Sequence, residues 1–193
     1  MKKILLLLSD GFEALEASAF TDVFGWNNTI GSRDTLLVTA SVKPEISSTW
    51  NFKVVTEESL GNISADDYDA LVIPGGFGSA GFFRDTKLKV FQEKIWEFYS
   101  RDRYIVGVCT GVIPLLESGV LKGKRATTYL LDNDRYFKQI ERNCAVPVRE
   151  DIVVHDKLIT SSAPGSAVEV AFILLELLTS KENVSYIREA MGF

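Results

Sequence analysis

A chain of 193 residues, 46% apolar and 24% charged, is long enough to bury one sizeable core and has the balance of an ordinary globular protein. Its net charge of −5, with 21 basic side chains scattered among 26 acidic ones, offers no basic patch or stripe for nucleic acid. Two cysteines and one histidine exclude a disulfide framework and a zinc site of the usual kind, so a reducing cytoplasm is the expected setting.

In chain order, Lys2-Lys3 and the apolar run at 4–8 resemble a signal peptide only superficially. The run is too short, and Ser9-Asp10-Gly11 stands where a small-residue cleavage site should be. It reads as a first, fully buried strand, and no segment approaches the length of a membrane span. Further strand-like runs occupy 36–40, 70–73, 104–108 and 158–161, short and mostly non-alternating, as strands buried on both faces should be. Helical spacing appears over 13–26 through Leu15, Ala19, Val23 and Trp26, and over 88–99 through Phe91, Ile95 and Phe98. The segment 168–178 is apolar nearly all round. Residues 42–63 read as a loop with a short hairpin at 50–56. Residues 144–161 read as short strands at 145–148 and 152–154, a turn at His155-Asp156-Lys157, and the strand already placed. The alternation predicts an α/β sandwich with a mainly parallel sheet and helices on both faces. Residues 1–193 form one domain in this reading, without repeat or linker, and its active site lies beyond the carboxyl ends of the strands.

One such end is Gly107-Val108-Cys109-Thr110-Gly111. A strand entering a glycine-flanked turn and then a helix presents its central side chain on a sharp corner, as in the G-x-S-x-G hydrolases, with sulfur here for hydroxyl. The helix that follows aims its N-terminal amides at the corner and favours thiolate over thiol. A cysteine that merely ends a core strand is the competing reading, but flanking glycines add nothing to a core strand. After another strand, Pro74-Gly75-Gly76-Phe77-Gly78 would alone be a plain turn. Beside an elbow, the Gly75-Gly76 amides supply half of an oxyanion hole and the Thr110 amide the other half. At the end of the first strand, Asp10-Gly11-Phe12-Glu13-Ala14-Leu15-Glu16 carries three carboxylates. Glu13 fits capping and dipole chemistry at a helix start. Glu16, one turn in on the face of Ala19 and Phe20, points inward to meet the cysteine and share a proton.

These four stretches, DGFEALE, IPGGFG, GVCTG and the late SSAPGSAVEVAFILLELL, occur in the order and at roughly the intervals of the ThiJ/PfpI family, which the chain resembles over nearly its whole length. That family belongs to the class I glutamine amidotransferase-like superfamily and includes the Parkinson-disease deglycase/chaperone protein. The resemblance implies a flavodoxin-like three-layer sandwich and a homodimer whose interface borders the site. It matches Cys109 to the family's reactive cysteine, Glu16 to its protonated glutamate, and Gly76 and Thr110 to the backbone donors beside the sulfur. One departure matters: many members carry a histidine where this chain has Tyr129. Tyr129 donates a hydrogen bond but, at a pKa of about 10, is a poor base at neutral pH. The single histidine, His155, reads as a solvated turn residue, so no Cys-His pair is available unless His155 folds back or a partner subunit donates one.

The expected function is a cysteine-dependent hydrolase or hydratase of a small molecule, working through Cys109 and Glu16, with Gly75, Gly76, Thr110 and Tyr129 binding substrate or oxyanion. Relatives with a C-T-G elbow include isonitrile hydratases, and the same string occurs in sensor domains of transcription regulators. No metal or other cofactor is expected, and no phosphate loop is present for a nucleotide. The expected partners are a small-molecule substrate and a second copy of the chain, with neither nucleic acid nor membrane. The alternative is a redox-sensing or chaperone-like stress protein in which Cys109 is oxidised rather than catalytic. Cys144, ahead of alternating residues, reads as a small core or edge residue. The three tryptophans read as packing, with Trp50 placed to close a pocket or a dimer interface, and Asp22 and Arg84 are candidates for the rim.

Overall fold

Strands that are apolar on both faces must lie inside a sheet that is covered twice. The computed structural model, which describes residues 1–193, resolves that requirement strand by strand. The strands are β1 (Lys2–Leu7), β2 (Thr35–Ser41), β3 (Glu45–Ser47), β4 (Lys53–Val55), β5 (Glu58–Ser59), β6 (Ala70–Ile73), β7 (Tyr104–Val108), β8 (Arg125–Ala126), β9 (Val146–Pro147), β10 (Ile152–His155) and β11 (Leu158–Ser161). The helices are α1 (Ala14–Ile30), α2 (Phe82–Thr86), α3 (Lys89–Ser100), α4 (Val112–Glu117), α5 (Lys138–Arg142), α6 (Ala167–Leu178) and α7 (Lys181–Met191). None of them is long and apolar enough to cross a membrane.

Seven strands form one sheet in the order β10-β11-β7-β6-β1-β2-β5, parallel throughout except for the β10–β11 hairpin. The period-two alternation of side chains splits the core into two halves. Ile4, Leu6, Ala70, Val72, Val106 and Val108 join α1, α6 and α7 on one face. Leu5, Leu7, Leu71, Ile73 and Ile105 join α3 and α4 on the other. The fold is therefore the expected α/β sandwich with a mainly parallel sheet. Three adjacent central strands, β7, β6 and β1, end side by side in the three segments that carry Cys109, the glycine pair and Glu16.

Several expectations need correction. The hairpin pairs Glu45–Ser47 with Lys53–Val55, so Trp50 stands in its turn rather than opening a strand, next to Asn51 at φ 65°. The segment after Cys144 is only the two-residue β9, paired with β8 in a separate small sheet. Cys144 itself is exposed, because the left-handed turn that closes α5 (φ 60°) turns it outward. The tryptophans do not fill the core: Trp26 is 42% exposed, Trp96 52% and Trp50 70%. α7, unassigned from the sequence, packs a short apolar stripe of Val184, Ile187 and Met191 against the core. Its start is nonetheless marked, since the Ser180 hydroxyl accepts the Asn183 N–H at 3.2 Å.

The turn after β7 packs hard against the end of β6. A Cβ on Gly111 would run into the Ile73 carbonyl oxygen and lie within 2.9 Å of the Pro74 backbone, whereas one on Gly165 would meet nothing within 4 Å. Gly111→Ala is therefore expected to cost about 3 kcal/mol of stability in urea unfolding. Gly165→Ala should be neutral or slightly stabilising in the same assay.

Candidate active site

Cys109 follows the last residue of β7 and adopts φ +53°, a left-handed conformation that an ordinary side chain adopts only at a cost. A single 3-10 turn, Cys109–Gly111, then leads into α4. The Thr128 hydroxyl donates to the Cys109 carbonyl oxygen at 2.7 Å, tying the strained peptide to the segment after β8. The cysteine is 7% exposed, and that remaining surface faces a cavity.

Glu16 sits in the first turn of α1 with no solvent exposure. Its Oε2 accepts the Gly75 N–H at 2.5 Å, while Oε1 is buried without a hydrogen-bond partner. Burial pushes its pKa up to about 8, against the opposing pull of the Gly75 amide and the Cys109 side chain, with the charge of Glu13 adding to the rise. At neutral pH the carboxyl is therefore mostly protonated. The Cys109 thiol is also pushed up, first by burial, then by the charge of Glu16, and the Thr110 amide works against both. The thiolate expected from the helix end thus yields to burial. Because Glu16 repels a thiolate only while ionised, the two groups titrate as a pair.

The glycine pair joins the other two segments. Both polar backbone groups of Gly75 go to the α1 side: its oxygen accepts the Glu13 N–H at 2.7 Å and its N–H holds Glu16. Both polar groups of Gly76 go to the elbow, where the Thr110 hydroxyl accepts its N–H and donates to its oxygen, each at 2.8 Å. A Cβ on Gly75 would lie 2.7 Å from the Thr110 hydroxyl and 3.0 Å from Glu16 Oε2. Contrary to the expectation of free oxyanion donors, both glycine amides are engaged within the protein. Gly76 reaches a ligand only if Thr110 turns away.

A cavity of about 590 Å³ opens above Cys109, Thr110 and Glu16. Phe83 stacks on Tyr136 with centroids 5.9 Å apart, and Tyr129 meets Tyr136 edge-on at 6.3 Å, so one wall is a row of rings. Phe77 also lines the cavity and packs against exposed Trp50 at 5.6 Å. Glu13, Asp132 and Arg135 bring charge to the lining. Glu13 is the helix N-cap, but its side chain makes no capping bond and lines the cavity instead.

Other sequence candidates fall elsewhere. His155 Nδ1 accepts the Arg125 N–H at 3.1 Å, 3.7 Å from Asp156 at its other nitrogen, and does not line the cavity. Asp22 lies on the exposed face of α1. Arg84 belongs to an ion cluster that ties down the loop leading through Glu13 into α1. Asp10 Oδ2 meets Lys43 at 2.5 Å and Arg84 at 2.9 Å, its Oδ1 accepts the Ser47 N–H, and its own N–H donates to buried Asp85. Burial alone would raise the Asp10 pKa, but Lys43, Ser47 and Arg84 hold it below the usual value. Of the ring wall only Tyr129 was a sequence candidate. Arg135 and Tyr136 carry no sequence signal, because they follow Asp132, Asn133 and Asp134, which all have positive φ, and Phe83 reaches the wall from α2. Glu13 could have been found from its i, i+3 spacing to Glu16.

The DJ-1/PfpI family model matches residues 2–177. An uncharacterized protein of Methanocaldococcus jannaschii is 30% identical over 131 residues, covering 67% of this chain and 62% of that protein. Protein DJ-1 homolog A of Arabidopsis thaliana is 25% identical over 183 residues, covering 94% of this chain and 44% of its own. The chain thus spans less than two thirds of either relative's length. The solved structure of oxidized Toxoplasma gondii DJ-1 shares the fold, with a TM-score of 0.85 at 22% identity over 100% of this chain and 99% of that one. With a match that runs from β1 almost to the end of α6, the chain belongs to the DJ-1/PfpI family.

Proposed function

We propose that the protein is a cysteine-dependent hydrolase or hydratase of small molecules, with Cys109 as nucleophile and Glu16 as its proton carrier. The reading is carried by one observation: a strained cysteine at an open cavity, beside a fully buried carboxyl whose burial pushes its pKa up to about 8. Loss of one proton from this pair gives the reactive form. If Glu16 loses it, the carboxylate accepts the thiol proton as sulfur attacks. Attack forms an S–C bond to an electrophilic carbon, and the π electron pair moves to the attached oxygen or nitrogen. That atom then takes the proton held by Glu16. In a hydration, water then displaces the sulfur and returns a proton to the pair. In a hydrolysis, the leaving group departs with that proton as the π bond re-forms, and water displaces the sulfur from the resulting thioester and returns a proton to the pair. The Thr110 amide beside the sulfur supports the developing charge, and Gly76 joins it once the Thr110 hydroxyl lets go. Tyr129 offers a hydroxyl from the wall. A homodimer fits the exposed Trp50–Phe77 pair at the edge of the cavity, and two free cysteines fit a cytoplasmic setting.

A second reading draws on the unpartnered Glu16 Oε1. Peroxide would oxidise the Cys109 thiolate to sulfenate and then sulfinate, releasing one water at each step. A protonated Glu16 would hold the product through a short hydrogen bond. The oxidized state of the Toxoplasma relative fits this course.

Turnover should separate the two. In a screen over isonitriles, α-oxoaldehydes, glycated thiols and small amides, Cys109→Ser and Glu16→Gln are each expected to abolish activity, while Tyr129→Phe retains an appreciable share. No turnover on any substrate, with Cys109 cleanly converted to sulfinate and that product lost in Glu16→Gln, would favour the sensor. Reactivity should also follow the carboxyl. Ionising Glu16 creates the proton acceptor, so iodoacetamide labelling of Cys109, read per site by mass spectrometry, should rise through an inflection near pH 8 that Glu16→Gln removes. An unchanged inflection in the variant would exclude Glu16 from the step. Stability carries the opposite sign. Between the ordinary carboxyl value of 4.5 and about 8, the folded chain holds a proton that the unfolded chain has released. Wild type should therefore lose on the order of a few kcal/mol as pH rises through that window, and Glu16→Gln should lack this share.

A further inference from the structure

The cavity holds three carboxyl side chains, and only Glu13 has no partner in the protein. Glu16 is bound to Gly75, and Asp132 lies 3.7 Å from Arg135. Glu13 makes neither a capping bond nor an ion pair. Arg135 is the only cationic side chain in the lining. It is turned to its neighbours, with its guanidinium 5.3 Å from the centre of the Tyr136 ring and its partner in Asp132. With Arg135 and Asp132 offsetting each other and Glu16 mostly protonated, the cavity keeps one uncompensated negative charge. It stands in a space walled by Phe77, Phe83, Tyr129 and Tyr136. Ring faces attract cations, and partial enclosure strengthens a carboxylate's field over its value in water.

We propose that the cavity selects electrophiles bearing a cationic nitrogen, an ammonium or similar group, with Glu13 as its counter-ion and the ring wall as its apolar sleeve. The assignment rests on Cys109 being the nucleophile of this cavity. It names a substrate class that the elbow chemistry alone does not. An anionic substrate would meet Glu13 and the developing thiolate at once, and the lining has no unengaged cation to offset them.

Charge-graded thiol reagents test this without the natural substrate. In a Cys144→Ser background, Cys109 displaces methanesulfinate from methyl, 2-aminoethyl or 2-sulfonatoethyl methanethiosulfonate and forms a mixed disulfide. Rates are divided by those of N-acetylcysteine with the same reagent. The ratio of aminoethyl to methyl rates is then free of any change in the proton affinity of Cys109 itself. Wild type should favour the aminoethyl reagent over the methyl by about tenfold and disfavour the sulfonate. Glu13→Gln should bring the ratio near one, and Glu13→Asp, which keeps the charge, should retain most of the preference. A ratio near one in wild type, or a preference that survives in Glu13→Gln, overturns the assignment while leaving the reactive cysteine standing. A Cys109 inert even to the methyl reagent removes both readings together.

Discussion

Two successive peptide units, Gly75 and Gly76, hold the site together. Each spends both its donor and its acceptor on a different neighbour: Gly75 on the start of α1, Gly76 on the Thr110 hydroxyl. The buried polar groups of one strand end thus satisfy those of the strands on either side, as burial demands. The consequence is geometric. The helix that carries Glu16 and the elbow that carries Cys109 cannot shift independently, because both are fastened to the same short stretch of backbone. Without side chains on these two residues the fastening can close. With them it cannot, since a Cβ on Gly75 would crowd Thr110 and Glu16, and one on Gly76 would run into the Gly11 carbonyl and the Phe82 ring.

The charge logic follows from that closure. A carboxyl brought inside with one amide for company is undersupplied with donors, so it keeps its proton to higher pH. Outside, the same loop carries Asp10 among Lys43, Arg84 and the Ser47 amide, where the carboxylate is held ionised. Within a few residues, one chain segment thus sets up two opposite proton states. The ionised one anchors the loop, and the neutral one faces the sulfur. The difference comes first from burial, complete for Glu16 and only partial for Asp10, and then from the number of donors each meets.

Much of this was legible in the sequence, for reasons that can be named. Strands buried on both faces must be short apolar runs, so β1, β2, β6, β7 and β11 stood out within two residues of their ends. The elbow was legible because a tight turn between a strand and a helix demands glycine on both sides of Cys109. Glu16 was legible because it sits on the same helix face as the apolar Ala19 and Phe20. What escaped was whatever tertiary contact alone decides. The engagement of the glycine amides depends on how strand ends face each other. The exposure of Cys144 follows from a left-handed turn that composition does not announce. Arg135 and Tyr136 sit on a stretch of irregular backbone without periodicity, and α7 is held by a short apolar stripe, a serine cap and the bonds of Asn183 to Asn27 and Ser32.

The run of left-handed residues at Asp132, Asn133 and Asp134 has a bearing on how such a protein can diversify. It bends the chain so that Arg135 and Tyr136 turn back over the sulfur, yet it lies outside the sheet and apart from the fastened glycines. Reactivity and this share of recognition are therefore housed in separable parts, whereas Glu13 belongs to the fastened segment, its N–H held by the Gly75 oxygen. The strand ends tolerate little revision, since each group there completes another. The bent loop is free to lengthen, shorten or exchange its aromatic and charged residues, so long as its turn residues tolerate positive φ. Lineages built on this scaffold can change what they recognise by rewriting one surface excursion, without disturbing the cysteine beneath it.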